Sequence, residues 1–350
     1  MEFYLSKVLI ISDTHAGCRG DNPFFYAYQK KFYDNILFPF IRKKEIKTFI
    51  HLGDLVDNRK EMNYATLQHL KDDFLDPLKS LNIETHFIVG NHDAYYKNTL
   101  SLNAMDEFIK FGRVYSSPSN ILSSNISDIL MVPWICRDNR DESLRWIKES
   151  KAKYCMGHLE LYGFQTNSGA FSRFGEDKDV FKNFTTVFSG HFHQRSRQEN
   201  IQYIGSTFKY NWGDYNQLRG LSVFDDINGT MDFYRNPYHI FSVLSYDGYL
   251  NGITDDDILK VKDTYCRIYV KNKTSEVKLN DFIKKVEDVG VIKLTVIDET
   301  DIIINDNLSE FTGEDDLRVE IINYINKLEV PNIDLVKNKF NIIYNKAKEK

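Results

Sequence analysis

Short apolar, strand-like runs alternate with longer amphipathic stretches over the first half of the chain. The runs are Val8-Leu9-Ile10-Ile11, Thr48-Phe49-Ile50, His86-Phe87-Ile88-Val89 and, later, Thr186-Val187-Phe188. Between the first two, residues 23–44 repeat aromatic and charged residues at helical spacing. Phe25, Tyr28, Phe32 and Ile36 fall on one side, and Pro39 is expected to bend or break the helix. Residues 64–79 predict a second helix. Beyond residue 120 short strands follow, among them Asp128–Val132, Ile201–Ile204, Leu221–Phe224 and Met231–Tyr234. Two packed sheets flanked by helices, an α/β (α+β) fold, fit this order.

From about residue 245 the pattern changes. Arg267–Val270, a helical Val277–Val289 and Ile292–Ile297 predict a strand-helix-strand unit, read as a small capping domain over 245–305. Asp298 to Asp316 is an acidic stretch, expected to be a linker in which Ile302-Ile303-Ile304 can pair as an edge strand. Two helices split by Pro331 complete a tail over 306–350. One carries the stripe Leu317, Ile321, Ile325 and Leu328, the other Leu335, Phe340 and Ile343. Residues 1–244 are left as the main domain.

Composition fits a soluble enzyme. The 350 residues include 42 % hydrophobic positions, enough for a large core with accessory units. No apolar run approaches the ~20 residues of a membrane span and no secretory signal opens the chain, so a cytoplasmic location is expected (host cytoplasm if viral). Cys18, Cys136, Cys155 and Cys266 lack zinc-like spacing and read as buried or semi-buried free thiols. The net charge of −5 is not that of a protein that grips nucleic acid unaided. Lys30, Lys31, Arg42, Lys43, Lys44 and Lys47 read as a solvated helix face. Arg195 and Arg197, just past a histidine pair, are the better candidates for phosphate contacts.

The chemistry is concentrated in five clusters: Asp13-Thr14-His15, Gly53-Asp54, Gly90-Asn91-His92-Asp93, Gly157-His158 and Gly190-His191-Phe192-His193. Each offers oxygen or imidazole ligands beside a small residue or turn signal, and four follow an apolar run, where open sheets place their ligands. Asp-x-His or Gly-Asp alone says little. Gly-Asn-His-Asp adds a tight turn, an amide oxygen and an acid or base, and Gly-His-x-His can aim two imidazoles at one centre from an extended segment. The ordered set reads as a two-metal phosphoesterase site. The other histidines, His51, His69, His86 and His239, read as packing or surface residues. Tyr95, Tyr96 and Lys97 either line a nucleic-acid path or anchor a loop.

This ordered set resembles the calcineurin-like metallophosphoesterase superfamily. Gly157-His158-Leu159-Glu160-Leu161-Tyr162-Gly163-Phe164, Gly190-His191-Phe192-His193, Tyr203-Ile204-Gly205-Ser206 and the stretch from Gly213-Asp214 to Arg219-Gly220 narrow the likeness. They are similar to SbcD-type nucleases of double-strand-break repair, above all the small subunit of tailed-phage recombination endonucleases. The likeness is good over residues 6–240 and loose beyond them.

The resemblance implies a two-sheet sandwich with a small capping domain and a helical tail. It implies that Asp13, His15 and His193 hold one metal, that Asn91, His158 and His191 hold the other, and that Asp54 bridges them. Two divalent ions ~3.5–4 Å apart share a nucleophilic hydroxide in such a site. Mixed oxygen and imidazole ligands suit two Mn2+, with Mg2+ the second choice. His92, next to the ligand Asn91, is the expected general acid. Its orienting partner is Asp57 or Asp93. Asp57 departs from the cellular SbcD pattern, which usually has His there, and looks like the phosphoprotein phosphatase pattern, in which the second Asp pairs with the motif His and a nearby Arg holds phosphate. Arg59 is displaced by one residue from that Arg.

The resulting expectation is an exonuclease and single-strand endonuclease that acts on DNA duplex ends and single strands. It would be the nuclease half of an ATP-driven recombination complex, a homodimer whose C-terminal helices dock an SbcC-type coiled-coil ABC ATPase. A stand-alone metallophosphatase or phosphodiesterase, and a non-catalytic scaffold that binds DNA ends, are the alternatives.

Overall fold

The computed structural model describes residues 7–166 and 170–298, together with residues 325, 333, 336, 337, 339 and 340. Twelve strands build its main body: β1 (Lys7–Ile11), β2 (Thr48–His51), β3 (Glu84–Ile88), β4 (Arg113–Tyr115), β5 (Ser119–Asn120), β6 (Ile129–Val132), β7 (Tyr154–His158), β8 (Thr186–Gly190), β9 (Ser196–Gln198), β10 (Ile201–Tyr203), β11 (Gly220–Asp225) and β12 (Thr230–Arg235). One sheet has the order β12-β11-β1-β2-β3-β4, with β1 to β4 parallel and β11 and β12 antiparallel. The other has the order β5-β6-β7-β8-β10-β9, parallel from β6 through β10.

The apolar runs are continuous because both faces of these strands are buried. Val8 and Ile10 of β1 join Ile50, Ile88, Met131, Met156 and Phe188 in a core shared by the two sheets. Leu9 and Ile11 point the other way, onto Phe25, Phe32, Phe74 and Phe108 of the flanking helices. On the far side of the second sheet, Leu130, Cys155, Val187 and Tyr203 pack against Ile147, Phe164 and Phe181. Four layers result, helices outside and two sheets inside, as the alternation predicts.

Pro39 bends nothing sharply. The helix Pro23–Phe32 passes through a π-helical turn, Tyr33–Leu37, and resumes as Phe38–Lys43. The wider turn places Pro39 near the start of the resumed segment, where a missing N–H costs little. It also shifts the register by one residue, so fully buried Leu37 takes the core position expected of half-buried Ile36. Residues 64–80 repeat the device, with a π turn at Lys71–Leu75 just ahead of Pro77. All four cysteines are buried free thiols. No helix among the described residues is long and apolar enough to cross a membrane.

A third sheet contains β13 (Phe241–Ser245), β14 (Tyr265–Val270) and β15 (Lys293–Asp298), with the helix Glu276–Asp288 between the last two. Its strands and helix share a core of Leu244, Ile268, Val270, Leu279, Phe282 and Val286. The expected strand-helix-strand is present, preceded by β13, which starts at Phe241 ahead of residue 245. Phe25 packs against Phe241 and Tyr265, so this unit is seated on the first helix of the sandwich.

Residues 298–350 form a second compact unit. Beyond Asp298 its described residues are helical, and Ile325 is buried. The expected acidic linker, the Ile302-Ile303-Ile304 strand and the stripe residues Leu317, Ile321, Leu328, Leu335 and Ile343 lie outside the described residues.

Candidate metal centre

All five clusters lie at strand ends: three follow β1, β2 and β3, Gly190 closes β8, and Gly157-His158 closes β7, where no β-branched run announces a strand. Parallel pairing of β1, β2 and β3 brings the Asp13, Asp54 and Asn91 turns to one sheet edge, and pairing of β7 with β8 aligns His158 with Gly190. The turns are stitched together. Asp13 N donates to Gly53 O at 3.0 Å and His15 N to Asp54 O at 3.1 Å, while His191 N reaches across from the second sheet to the Asp13 carboxylate at 3.1 and 3.2 Å.

Four site residues hold left-handed backbone: Asp13 at φ 53°, His15 at 45°, Asp54 at 55° and His191 at 81°. Such conformations cost energy in non-glycine residues and cluster where function over-determines the chain. The glycines relieve crowding as well. Gly53 is at φ 94°, and a Cβ there would lie 2.5 Å from His158 Nδ1. A Cβ on Gly90 would collide with the Asp54 amide, so Gly90 serves close approach of two backbones rather than the tight turn expected of it.

The expected ligands form two adjoining groups, and His15, Asp57 and His92 make a third set of the same compactness. Asp13, His15 and His193 present ligand atoms within 4.8 Å of one another, and so do Asp54, His158 and His191. Asn91 Oδ1 completes the second group, 3.0 Å from His158 Nε2 and 2.9 Å from His191 Nδ1. Asp54 Oδ2 lies 3.3 Å from His158 Nε2 and 3.8 Å from His15 Nε2, between the groups. His15 Nε2 and His193 Nε2 approach to 3.1 Å, a separation that two lone pairs tolerate only with a proton or cation between them. Among the described residues, Asp13 and Asp54 have no lysine or arginine partner; their ion pairs are with imidazoles alone. Buried carboxylates paired with convergent imidazoles rather than with lysine or arginine fit divalent cations.

The electrostatics agree. Burial opposes ionisation of Asp54, yet the His158 and His15 imidazoles hold its carboxyl well below the usual range. Burial likewise opposes charging His158, but the Asp54 and Asp13 carboxylates outweigh it and pull that pKa up to about 9. His158 Nδ1 donates to Leu52 O at 2.7 Å, which fixes the ring and aims Nε2 at the centre. Burial, with His158 nearby, pushes His191 down to about 3, and burial and His15 push His193 down as well, leaving neutral rings of the kind a cation needs.

His92 is half-buried beside the first group, its ring 4.8 Å from that of His15. Its Nδ1 donates to the backbone carbonyl of Asp57 at 2.6 Å, so neither candidate carboxylate orients it. The Asp57 carboxylate faces His15 Nδ1 instead, at 3.3 Å. Asp93 is buried and accepts from the amides of Gly90, Asp54 and Val56 at 2.8, 2.9 and 3.1 Å, tying two turns of the site together. Burial and the neighbouring Asp54 raise its pKa to about 6.

Arg59 and His92 line one cleft of about 630 Å3. Arg59 Nη1 is buried without a hydrogen-bond partner among the described residues, and burial lowers its pKa. Arg195, expected to contact phosphate, spends its guanidinium elsewhere. Its Nη1 donates to Ile204 O at 2.6 Å and Ser222 Oγ at 3.2 Å, and the guanidinium lies 3.9 Å from the Phe233 ring centre, so it ties the sheets together.

Two walls escape sequence reasoning. Trp134 packs 4.9 Å from His191, and Tyr210 lies 5.2 Å from His15 and 5.4 Å from His193 while donating to Asp13 O at 2.6 Å. Neither aromatic differs in sequence from a core residue. His51 is buried under the first turn against Thr14 Oγ1 at 2.9 Å, a packing role as expected. Tyr95 and Tyr96 remain partly exposed, at 36 % and 49 %.

Residues 6–195 match the family model of the calcineurin-like phosphoesterases. The chain belongs to that family. Exonuclease subunit 1 of Enterobacteria phage T4 is 34 % identical over 66 % of this phosphoesterase and 68 % of its own length. The DNA double-strand break repair protein Mre11 of Sulfurisphaera tokodaii is 30 % identical over 54 % of the chain, which spans about half the length of that relative, 49 %. A solved archaeal phosphodiesterase, 11 % identical, overlaps 66 % of this phosphoesterase and 99 % of its own chain with a TM-score of 0.33, too loosely to inform the site. The family and both sequence relatives bear out the SbcD-type likeness read from the motifs.

Proposed function

We propose that this phosphoesterase is the nuclease subunit of an ATP-driven recombination or repair complex and hydrolyses DNA phosphodiesters with two divalent ions. The observation that carries the reading is the position of Asp54 Oδ2 between the Asp13–His15–His193 group and the Asn91–His158–His191 group. A shared carboxylate is what a paired-metal centre needs. The relatives named as an exonuclease subunit and a break-repair protein support DNA as the substrate.

Asp13, His15 and His193 would hold one ion, Asn91, His158 and His191 the other, and Asp54 both; mixed oxygen and imidazole donors favour manganese over calcium. Bound there, the ions supply Lewis acidity toward the phosphoryl oxygens and an acidified water. The chain's own residues do the rest. The Nδ1 bond to Asp57 O leaves His92 Nε2 to deliver a proton to the departing sugar oxygen. Arg59, with a donor unspent in the same cleft, contacts the phosphate. Trp134 and Tyr210 wall the imidazoles from bulk water. The C-terminal segment 306–350 docks a coiled-coil ABC ATPase of SbcC type, and the assembly is a homodimer.

Cleavage of linear duplex and single-stranded DNA is assayed beside a phosphate monoester, with manganese or chelator. Manganese-dependent release of nucleotides is the expected result. Turnover of the monoester with DNA left intact would establish a stand-alone phosphatase instead.

A further inference from the structure

Two cavities away from the metal centre, of about 380 and 360 Å3, run along the seam between the sandwich and the third sheet. Tyr238, His239 and Lys260 line both, so the two adjoin. Their walls carry six cationic side chains, Lys31, Lys209, Arg219, Arg235, Lys260 and Lys262, against two carboxylates, Asp257 and Asp263. Arg219 is neutralised by Asp214 and Lys260 by Asp257, each at 2.6 Å. Lys31, Lys209, Arg235 and Lys262 have no ion-pair partner among the described residues. In a chain of net charge −5 this concentration is local.

The positive charges are close enough to oppose one another. Burial pushes Lys209 down to about 8, and Arg219 and Arg235 push the same way. Burial also lowers His239, with Lys209, Arg235 and Lys31 contributing. Ser242 Oγ, in the wall of the first cavity, is buried with no hydrogen-bond partner among the described residues. The surplus therefore calls for an anion that accepts hydrogen bonds. Aromatic faces are interleaved with the cations: Lys31 Nζ lies 4.6 Å from the Tyr238 ring centre, and Phe24, at the second cavity, is 48 % exposed.

We propose that this seam binds the phosphodiester backbone of a single DNA strand at a site separate from the metal centre. The proposal rests on the nuclease reading. A groove of two joined cavities with spaced cations and the exposed Phe24 ring suits several successive nucleotides, since the cations track phosphates and the ring offers a stacking surface. A lone phosphate would fill only one end of it.

The test is fluorescence anisotropy of a labelled single-stranded oligonucleotide, with chelator present to prevent cleavage, over a series of salt concentrations. The wild-type chain is compared with Lys31→Gln/Arg235→Gln, both substitutions being at the groove and remote from the metal ligands. The expected result is binding weakened ~10-fold at low salt. The slope of log K against log salt should become shallower by about 1.4, at ~0.7 for each single-strand phosphate no longer neutralised. Identical affinity and slope in wild type and variant would overturn the seam while leaving the nuclease reading standing. A wild-type chain that binds manganese but no oligonucleotide would remove both. Titration with thymidine monophosphate separates the two sources of phosphate: displacement of the oligonucleotide only at far higher concentration supports a strand site. Tight mononucleotide binding, abolished in the variant while oligonucleotide affinity is unchanged, contradicts it.

Discussion

The Asp57 carboxylate lies 3.3 Å from Nδ1 of His15, while the backbone carbonyl of the same residue accepts from Nδ1 of His92. Two side chains of the site thus face one residue through different atoms. The carboxylate lies in ion-pair range of the ring whose Nε2 faces Asp54, the position from which outer carboxylates tune metal-ligating histidines. Asp57→Asn should therefore weaken manganese at the Asp13–His15–His193 group by ~10–100-fold and leave His92 in place. Manganese titration followed by electron paramagnetic resonance measures this; unchanged affinity with lost activity would return Asp57 to the His92 side of the mechanism.

Asp93 acts on the backbone. Its carboxylate gathers three amides from the Gly53–Val56 and Gly90–Asp93 turns, so Asp93→Asn turns an NH2 group toward N–H donors. A buried donor left without an acceptor costs ~1–3 kcal/mol, and bonds to a charged acceptor are at the upper end. Urea unfolding in chelator should show a loss of about 2–3 kcal/mol. A change within about 0.5 kcal/mol, the range of an ordinary surface substitution, would mean that the turns are held by something else.

Loading the centre should expel a proton. With His158 pulled up to about 9, its ring is protonated at pH 7 in the metal-free chain, and a ligating imidazole must be neutral. Calorimetry at pH 7 in buffers of different ionisation enthalpy should therefore show about one proton released from this residue on manganese binding. The release should fall toward zero as pH rises through 9, because the free ring is then already neutral. Release that stays flat from about pH 7 to 10 would contradict the protonated ring.

Much of this site was legible from sequence because each cluster sits at a strand end, where apolar periodicity stops abruptly. Gly157-His158 was legible as a ligand motif even though β7 was not legible as a strand. What escaped depends on three-dimensional closure. The Asp93 bonds exist only once two turns meet, the partner of His92, read as the carboxylate of Asp57 or Asp93, is a backbone carbonyl that no side-chain pattern marks, and Trp134 and Tyr210 carry no mark separating a site wall from a core aromatic. Arg195 misled for the same reason. Two residues past His193, its side chain can turn to the sheet as readily as to the site, and Phe233 and Ile204 decide the direction. In the fold, Leu37 replaced Ile36 because a π turn cannot be read from 3.6-residue spacing.

On the proposed role, in which His92 delivers a proton and holds no ion, His92→Ala should keep both ions and lower the rate by ~10²–10⁴. The deficit should be large for a deoxyribose 3′ oxygen and small for a nitrophenolate, which departs without a proton. Comparing the two leaving groups in one variant separates proton delivery from positioning. Equal losses on both would take His92 out of the acid role.

Asp54 tests the account most directly, since its Oδ2 lies between the two groups. Calorimetric titration of Asp54→Asn with manganese should show both sites weakened together and cleavage abolished, because an amide cannot supply the charge that two ions share. Two manganese sites of undiminished affinity in that variant would contradict the shared carboxylate and the paired-metal centre built upon it.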